Sequence, residues 1–373
     1  MRFAPFAMER LQSVWEHQVA WNVSESGVDP LRLDELALTE NDRHTLMRQA
    51  LAYTQTNGTV ELRSLVATMY PGATAGHVLV TNGGSEANFV TLMHLVQPGD
   101  EVVVMLPNYM QAPGLLEALG ATVVPWRLRI DEAATRWAPD LPALGTIVTP
   151  RTKAIFICNP NNPTGSRLTP AELDAIGAVA SVVGAWVISD EIYRGAELDA
   201  VESPTMWGRA ERVIVTSGLS KAYGLPGLRI GWITGPPSTV EELWGVHDYT
   251  TIAPGALNDL LARIALSPDG RPRLLARTRG IIRANYPALK AWIDKRKGLS
   301  HVAPEAGAIA FVKYTHAINS TALVERLRVD RSVLVVPGDH FEMDGYLRIG
   351  FGSDPDHLAG SLQRIGEFLD TLG

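Results

Sequence analysis

Short runs of consecutive apolar residues, rich in Val and Ile, recur through the first 220 residues, and each stops at a turn-forming or polar residue. They are HVLVTNGG (77–84), EVVVMLPN (101–108), ATVVPW (121–126), KAIFICNP (153–160), AWVISDE (185–191) and RVIVTSG (212–218). Runs of this length with no polar alternation predict strands buried on both faces. Between them SEANFVTLMHLV (85–96) and PAELDAIGAVASVVG (170–184) carry helical spacing. Strands alternating with helices predict an α/β fold, a parallel sheet covered by helices. A boundary is predicted near 270, in SPDGRPR (267–273), before the helical pattern LLARTRGIIRANYPALKAWIDKR (274–296). The division expected is an N-terminal arm and lead-in over 1–45, which belongs with the smaller domain, a large domain over 46–270, and a small C-terminal domain over 271–373.

Composition narrows the function classes. The 373 residues suffice for two domains. A net charge of −7 argues against nonspecific nucleic-acid binding, which needs basic surface. The single cysteine, Cys158, rules out an intramolecular disulfide and reads as a small buried hydrophobe. The first 21 residues mix charges into their apolar positions, unlike a signal peptide. No apolar run reaches the ~20 residues needed to span a bilayer. A cytoplasmic enzyme is the expectation, with no membrane or nucleic-acid partner.

Chemistry-bearing residues gather at the carboxyl ends of the predicted strands, the edge at which open α/β sheets bind ligands. VTNGGSEAN (80–88) offers two glycines and Ser85 ahead of a helix. The glycines admit an anion to the backbone, Ser85 is placed to cap the helix, and the helix N-terminus favours negative charge. A plain turn and cap would also account for that pattern. Lys221 lies in SGLSKAYGLPGLRIGW (217–232), eight residues before Arg229. A lysine that forms a Schiff base with an aldehyde cofactor needs a carboxylate at the ring nitrogen, neutral donors at the ring oxygen and a cation at the phosphate. Asp190 and Tyr193 in SDEIY (189–193), and Asn162 in NPNNPTG (159–165), supply the first two. Arg229, with the Ser220 hydroxyl, supplies the third. Each residue has a structural alternative: Asp190 as a helix cap, Asn162 as a turn former, Arg229 as an ion-pair partner. Burial and the nearby Arg229 are expected to hold the Lys221 amine below its ordinary pKa of about 10.4.

Together these segments resemble the pyridoxal-phosphate enzymes of fold type I, in the aspartate aminotransferase superfamily (class I and II aminotransferases), over roughly residues 20–370. The resemblance implies a three-layer αβα large domain with a mostly parallel sheet, plus a smaller α/β C-terminal domain. It implies pyridoxal 5'-phosphate as cofactor, no metal, and transfer of an amino group between an L-amino acid and a 2-oxo acid. Lys221 takes the Schiff-base role, Asp190 the ring nitrogen, and Asn162 and Tyr193 the ring oxygen. Gly84, Ser85, Ser220 and Arg229 take the phosphate. Tyr109, in LPNYMQ (106–111), matches the aromatic that stacks on the ring. Arg348, in GYLRIGFG (345–352), matches the arginine that binds the substrate carboxylate. Gly27, in SESGVDPL (24–31), falls where relatives approach that carboxylate with backbone, and Asn162 belongs to the same subsite. Tyr53 matches a tyrosine donated to the phosphate across a homodimer interface, which implies shared active sites. One departure is Gly218, where many relatives carry Ser or Thr; the hydroxyl of Ser217 is one position off.

A narrower resemblance, in SKAYGLPGLRIGW (220–232), VLVVPG (333–338) and SESGV (24–28), is to capreomycidine synthases, which cyclise a hydroxylated arginine through β-elimination. That branch implies Glu25 as a partner for a guanidinium. A third class, cofactor-binding regulators fused to a DNA-binding domain, is disfavoured by the acidic charge and the lack of a basic helix-turn-helix. Trp15, Trp21 and Tyr249 are candidates for a side-chain pocket, with core packing the plainer reading.

Overall fold

The computed structural model describes residues 2–133 and 135–372. Each of the six apolar runs forms a strand, and they assemble into one eight-stranded sheet. Its order is Val78–Thr81, Gly231–Thr234, Val213–Gly218, Trp186–Asp190, Thr152–Cys158, Glu101–Leu106, Thr122–Ile130 and Trp137–Pro139. The five strands from Val213–Gly218 to Thr122–Ile130 run parallel. Gly231–Thr234 inserts antiparallel between Val78–Thr81 and Val213–Gly218. Trp137–Pro139 closes the far edge antiparallel.

Alternation along each strand divides the core. Val103, Met105, Ile155, Ile157, Val187 and Val215 pack on one face. Val102, Val104, Ala154, Phe156, Ile188 and Ile214 pack on the other. Successive side chains in a strand point to opposite faces, so both faces are covered and the strands carry no polar alternation. The covering helices have local causes. Thr169 caps Pro170–Val183 through the Glu172 amide, and the Glu172 carboxylate accepts from the Thr169 amide in return. Pro170 starts that helix and Gly184, left-handed at φ +69, ends it.

A second, four-stranded antiparallel sheet has the order Leu299–His301, Ile309–Tyr314, Tyr346–Gly350, Val336–Pro337. The long helix Gly270–Asp294 precedes it and Pro355–Asp370 follows it. Ile282, Leu289, Val312, Leu347, Ile349 and Leu362 share its core. The N-terminal segment does not stay apart. After the helix Ala7–Trp15, strand Trp21–Asn22 pairs in parallel with Val333–Leu334, and Val23 joins the second core. Among the described residues no helix is long and apolar enough to cross a membrane.

Candidate active site

A cavity of about 300 Å³ opens at the carboxyl edge of the parallel strands. Eleven of the thirteen residues predicted for the site line it: Glu25, Gly84, Ser85, Tyr109, Asn162, Asp190, Tyr193, Ser220, Lys221, Arg229 and Arg348. The strands Val78–Thr81, Trp186–Asp190 and Val213–Gly218 deliver the loops that carry most of these residues. Arg348 arrives from the second sheet and Glu25 from the N-terminal segment.

The phosphate-like end is built from close backbone contacts. Helix Gly84–Leu95 begins after Gly83, whose φ of +97 only glycine adopts without strain. A Cβ on Gly83 would lie 2.3 Å from Arg229 Nη2, so the guanidinium lies directly over the helix N-terminus. Arg229 Nη1 donates to Pro226 O at 3.1 Å and to Ser220 Oγ at 3.4 Å. Ser85 differs from expectation: the helix cap is Gly83, with no side-chain capping bond, and Ser85 sits inside the first turn. Free amides, a dipole end, a guanidinium and two hydroxyls therefore face one spot. Gly218 has a packing reason, because a Cβ there would lie 2.8 Å from Ile230 O, just ahead of the adjoining strand Gly231–Thr234. The Ser217 hydroxyl donates to Glu191 O at 3.1 Å and so is engaged in the sheet.

Asp190 ends its strand buried. Its Oδ2 accepts from Asn88 Nδ2 at 2.9 Å, and its Oδ1 accepts from the Ile192 amide at 3.1 Å. Burial pushes the carboxyl above its usual range, and the two donors oppose that shift. Both donors are neutral. A cationic ring nitrogen would complement a carboxylate held in this way. Asn88 was not among the residues predicted. An Asn inside a helix reads as a solvated polar position, yet it lies three residues after Ser85 and on the same helix face.

Lys221 corrects a second expectation. Its Nζ donates to Glu25 Oε1 at 2.5 Å. Burial disfavours the ammonium, but the Glu25 charge, with Tyr193 and the hydrogen bond, outweighs it and holds the Lys221 pKa above its ordinary value. Arg229 turns away toward the phosphate-like end. The Glu25 carboxyl is pushed down to about 2 by Lys221, against its own desolvation, with help from the Ser26 amide. Glu25 Oε1 also accepts from the Gly27 amide at 3.0 Å. Gly27 stands behind this pair: a Cβ there would meet Lys221 Cδ at 3.5 Å.

Arg348 lies on strand Tyr346–Gly350 and is 1% exposed. Its Nη1 donates to Asn162 Oδ1 at 3.0 Å and its Nη2 to Ser24 O at 2.6 Å, while its buried Nε has no protein partner. The Tyr193 hydroxyl donates to Ser26 Oγ at 2.8 Å, and burial raises its pKa to about 12. Tyr109 meets Phe6 edge to face at 5.0 Å and donates to Glu9 Oε1 at 2.8 Å. Helix Ala7–Trp15, in the predicted N-terminal arm, thus walls the cavity with Met8, Glu9, Gln12 and Ser13.

Two predicted residues lie outside the lining. Gly27 backs it as described, and Tyr53 is 84% exposed on the outer surface. The three aromatic candidates do not line the cavity. The Arg328 guanidinium sits 3.6 Å from the Trp15 ring centroid, Trp21 stacks on His357 at 5.1 Å, and Tyr249 is exposed rather than packed.

The arrangement fits pyridoxal phosphate at both of its ends. A buried carboxylate lacks a cation, a glycine-lined helix N-terminus faces an arginine, and a lysine amine stands in the cavity. The family description for aminotransferases of class I and II matches residues 16–365. The chain is 35% identical to the capreomycidine synthase of Streptomyces vinaceus over 325 residues, which cover 84% of this chain and 80% of that one. Its fold superposes on a pyridoxal-phosphate-dependent aminotransferase from Streptococcus suis with a TM-score of 0.93 at 31% identity, covering 100% and 99% of the two chains. It superposes on the pyridoxal-phosphate-dependent cyclase OrfR with a TM-score of 0.90 at 26% identity, again covering 100% and 99%. The glycine-built anion cradle, the buried aspartate and the cavity lysine are thus carried on a chain that belongs to the class I and II aminotransferase family, enzymes that use pyridoxal phosphate.

Proposed function

We propose that the protein moves the amino group of an L-amino acid to a 2-oxo acid. The observation that carries this reading is the convergence of Lys221, Asp190, Arg229 and Arg348 on one cavity of about 300 Å³. Bound pyridoxal phosphate supplies an aldehyde carbon for the amino group and a ring that takes up the electrons left at Cα. Arg229, Ser220, Ser85 and the Gly84 amide hold the phosphate. Asp190 would hold the ring nitrogen in its charged form, and Tyr193 and Asn162 would serve the ring oxygen. Tyr109, on the cavity lining, would cover one ring face. Arg348, its guanidinium fork steered by Asn162 and Ser24 O, would bind the substrate carboxylate. Gly27 leaves room for that carboxylate beside the lysine.

Lys221 Nζ carries the Cα proton. It cannot do so as the ammonium that Glu25 stabilises, so it must first lose a proton. The 84% exposure of Tyr53 supports a homodimer in which that side chain reaches the partner's phosphate site.

A second reading draws on the 35% identity with capreomycidine synthase and on the Glu25 carboxylate in the cavity. There the substrate is a hydroxylated arginine, Glu25 meets its guanidinium, and the product is a cyclised amino acid that keeps its amino group. Product analysis with amino acids, arginine and 3- and 4-hydroxyarginine separates the two. A new 2-oxo acid supports transfer, and a cyclised product with nitrogen retained refutes it. Loss of the bound-cofactor absorbance in Lys221→Ala is the accompanying check on the lysine.

A further inference from the structure

We infer that Asn88 is a positioning residue that keeps Asp190 ionised and aimed at the cofactor ring, with Thr216 fixing the direction of the Asn88 amide. The inference depends on the reading of Asp190 as the ring-nitrogen partner. Its basis is a directed chain of three side chains from three elements. Thr216 Oγ1, on strand Val213–Gly218, donates to Asn88 Oδ1 at 2.6 Å. With its oxygen engaged there, Asn88 presents Nδ2 to Asp190 Oδ2 at 2.9 Å, and Gln111 Oε1 at 3.3 Å takes a share of the same amine. A reversed amide would set an oxygen against the carboxylate and leave the threonine proton unmatched, so Thr216 selects one orientation. Asn88 is 2% exposed and Thr216 is fully buried, so water does not substitute for either.

The chemistry explains why the residue is an amide. A buried carboxylate drifts toward its neutral form unless donors hold the charge. Burial does push the Asp190 carboxyl upward here, and Asn88 is the leading group that opposes it. A lysine or arginine at position 88 would hold the anion better but would neutralise it, leaving nothing for a ring cation. A neutral donor stabilises the charge without consuming it. Each carboxylate oxygen keeps acceptor capacity, since each takes one protein donor. The titratable group facing Asp190 from the adjoining strand is Cys158, whose thiol burial keeps neutral. The opposite strand brings Thr216, and the helix brings Asn88.

Position 88 also joins the two ends of the cavity. Gly84 and Ser85 open the same helix, so the element that presents free amides to a phosphate holds the ring partner one turn later. A shift of that helix moves both.

The test measures cofactor affinity by titrating pyridoxal phosphate into cofactor-stripped protein at a series of pH values, with the melting temperature of the stripped protein as a control. Asn88→Ala is expected to weaken binding by roughly tenfold or more, and the acidic fall-off in affinity should move to higher pH. Thr216→Val removes only the orienting proton and should shift both readings in the same direction by less. Asp190→Asn, measured alongside, should abolish the pH-dependent part. If Asn88→Ala and Thr216→Val melt near the parent protein and leave affinity and pH profile unchanged, while Asp190→Asn does not, the inference about Asn88 is refuted. Unchanged binding in Asp190→Asn would remove the Asp190 reading itself. Should Asn88→Ala fail to fold, Thr216→Val decides alone.

Discussion

Replacing Arg348 with lysine keeps one positive charge at the far wall of the cavity and removes the planar fork. In the native side chain Nη1 serves Asn162 at 3.0 Å and Nη2 serves Ser24 O at 2.6 Å. The two protein bonds fix the guanidinium plane, so a substrate carboxylate meets a preset pair of donors. A lysine ammonium is a point donor that cannot satisfy Asn162, Ser24 O and a carboxylate in that plane. The substrate then loses one charge-assisted hydrogen bond, about 1.5–3 kcal/mol. At about 1.4 kcal/mol per tenfold, its dissociation constant rises roughly 10- to 150-fold. The assay is titration of the bound-cofactor absorbance with an amino acid and, in parallel, with the matching amine that lacks the carboxylate. Arg348→Lys should weaken the first and spare the second. Equal loss for both, or amino-acid affinity within about threefold of the parent, would refute the carboxylate role.

Three further outcomes follow from the geometry. Glu25→Gln removes the anion that holds the Lys221 pKa up, so cofactor should load faster near neutral pH, as followed by the rise of its absorbance. The same change tests the pair's stability: Glu25, lowered to about 2, stabilises the cofactor-stripped protein above the ordinary carboxyl pKa and loses that contribution as pH falls toward 2. The raised Lys221 contributes below its ordinary pKa and loses that contribution as pH rises through the folded value; the variant's melting curve should be flatter at both limits. Gly83→Ala forces a side chain into a glycine-only conformation and against Arg229, which should destabilise the protein by about 1–3 kcal/mol and weaken phosphate binding, read by thermal melting and cofactor titration. Gly218→Ser sets Cβ against Ile230 O and should destabilise by about 1–3 kcal/mol in the same melting assay.

The large sheet was legible because its strands are buried on both faces. Val102 to Val104 and Ile155 to Ile157 must be apolar at every position, and that reads directly as a run. Gly231–Thr234 was not legible, since four residues inside the lysine segment carry no period of their own. Thr122–Ile130 extends beyond the run that marked it, because its outer half pairs with Trp137–Pro139 and tolerates polar residues at an edge. In the site, residues whose chemistry is fixed by motif, such as Lys221, Asp190 and Asn162, line the cavity. Those whose neighbours lie far along the chain were misjudged. Ser85 was read as a cap because a glycine cap leaves no side-chain signature. Lys221 was read as depressed because nothing in its own segment reveals Glu25, 196 residues away. Asn88 and Glu9 were missed for the same reason.

The wall of the cavity joins the two extremes of the chain, since Met8 and Arg348 touch across 340 residues of sequence. At a synthesis rate of about 5–20 residues per second, the opening helix waits roughly 20–70 s on the ribosome before Arg348 exists to receive it. Trp21–Asn22 waits nearly as long for Val333–Leu334. Throughout that interval Leu11, Trp21 and Val23 lack the second core they pack on, although the large sheet can already be forming. The emerging chain must keep an unpartnered apolar segment from aggregating, so yield during expression should depend more on chaperone supply and translation speed than the stability of the finished enzyme would suggest.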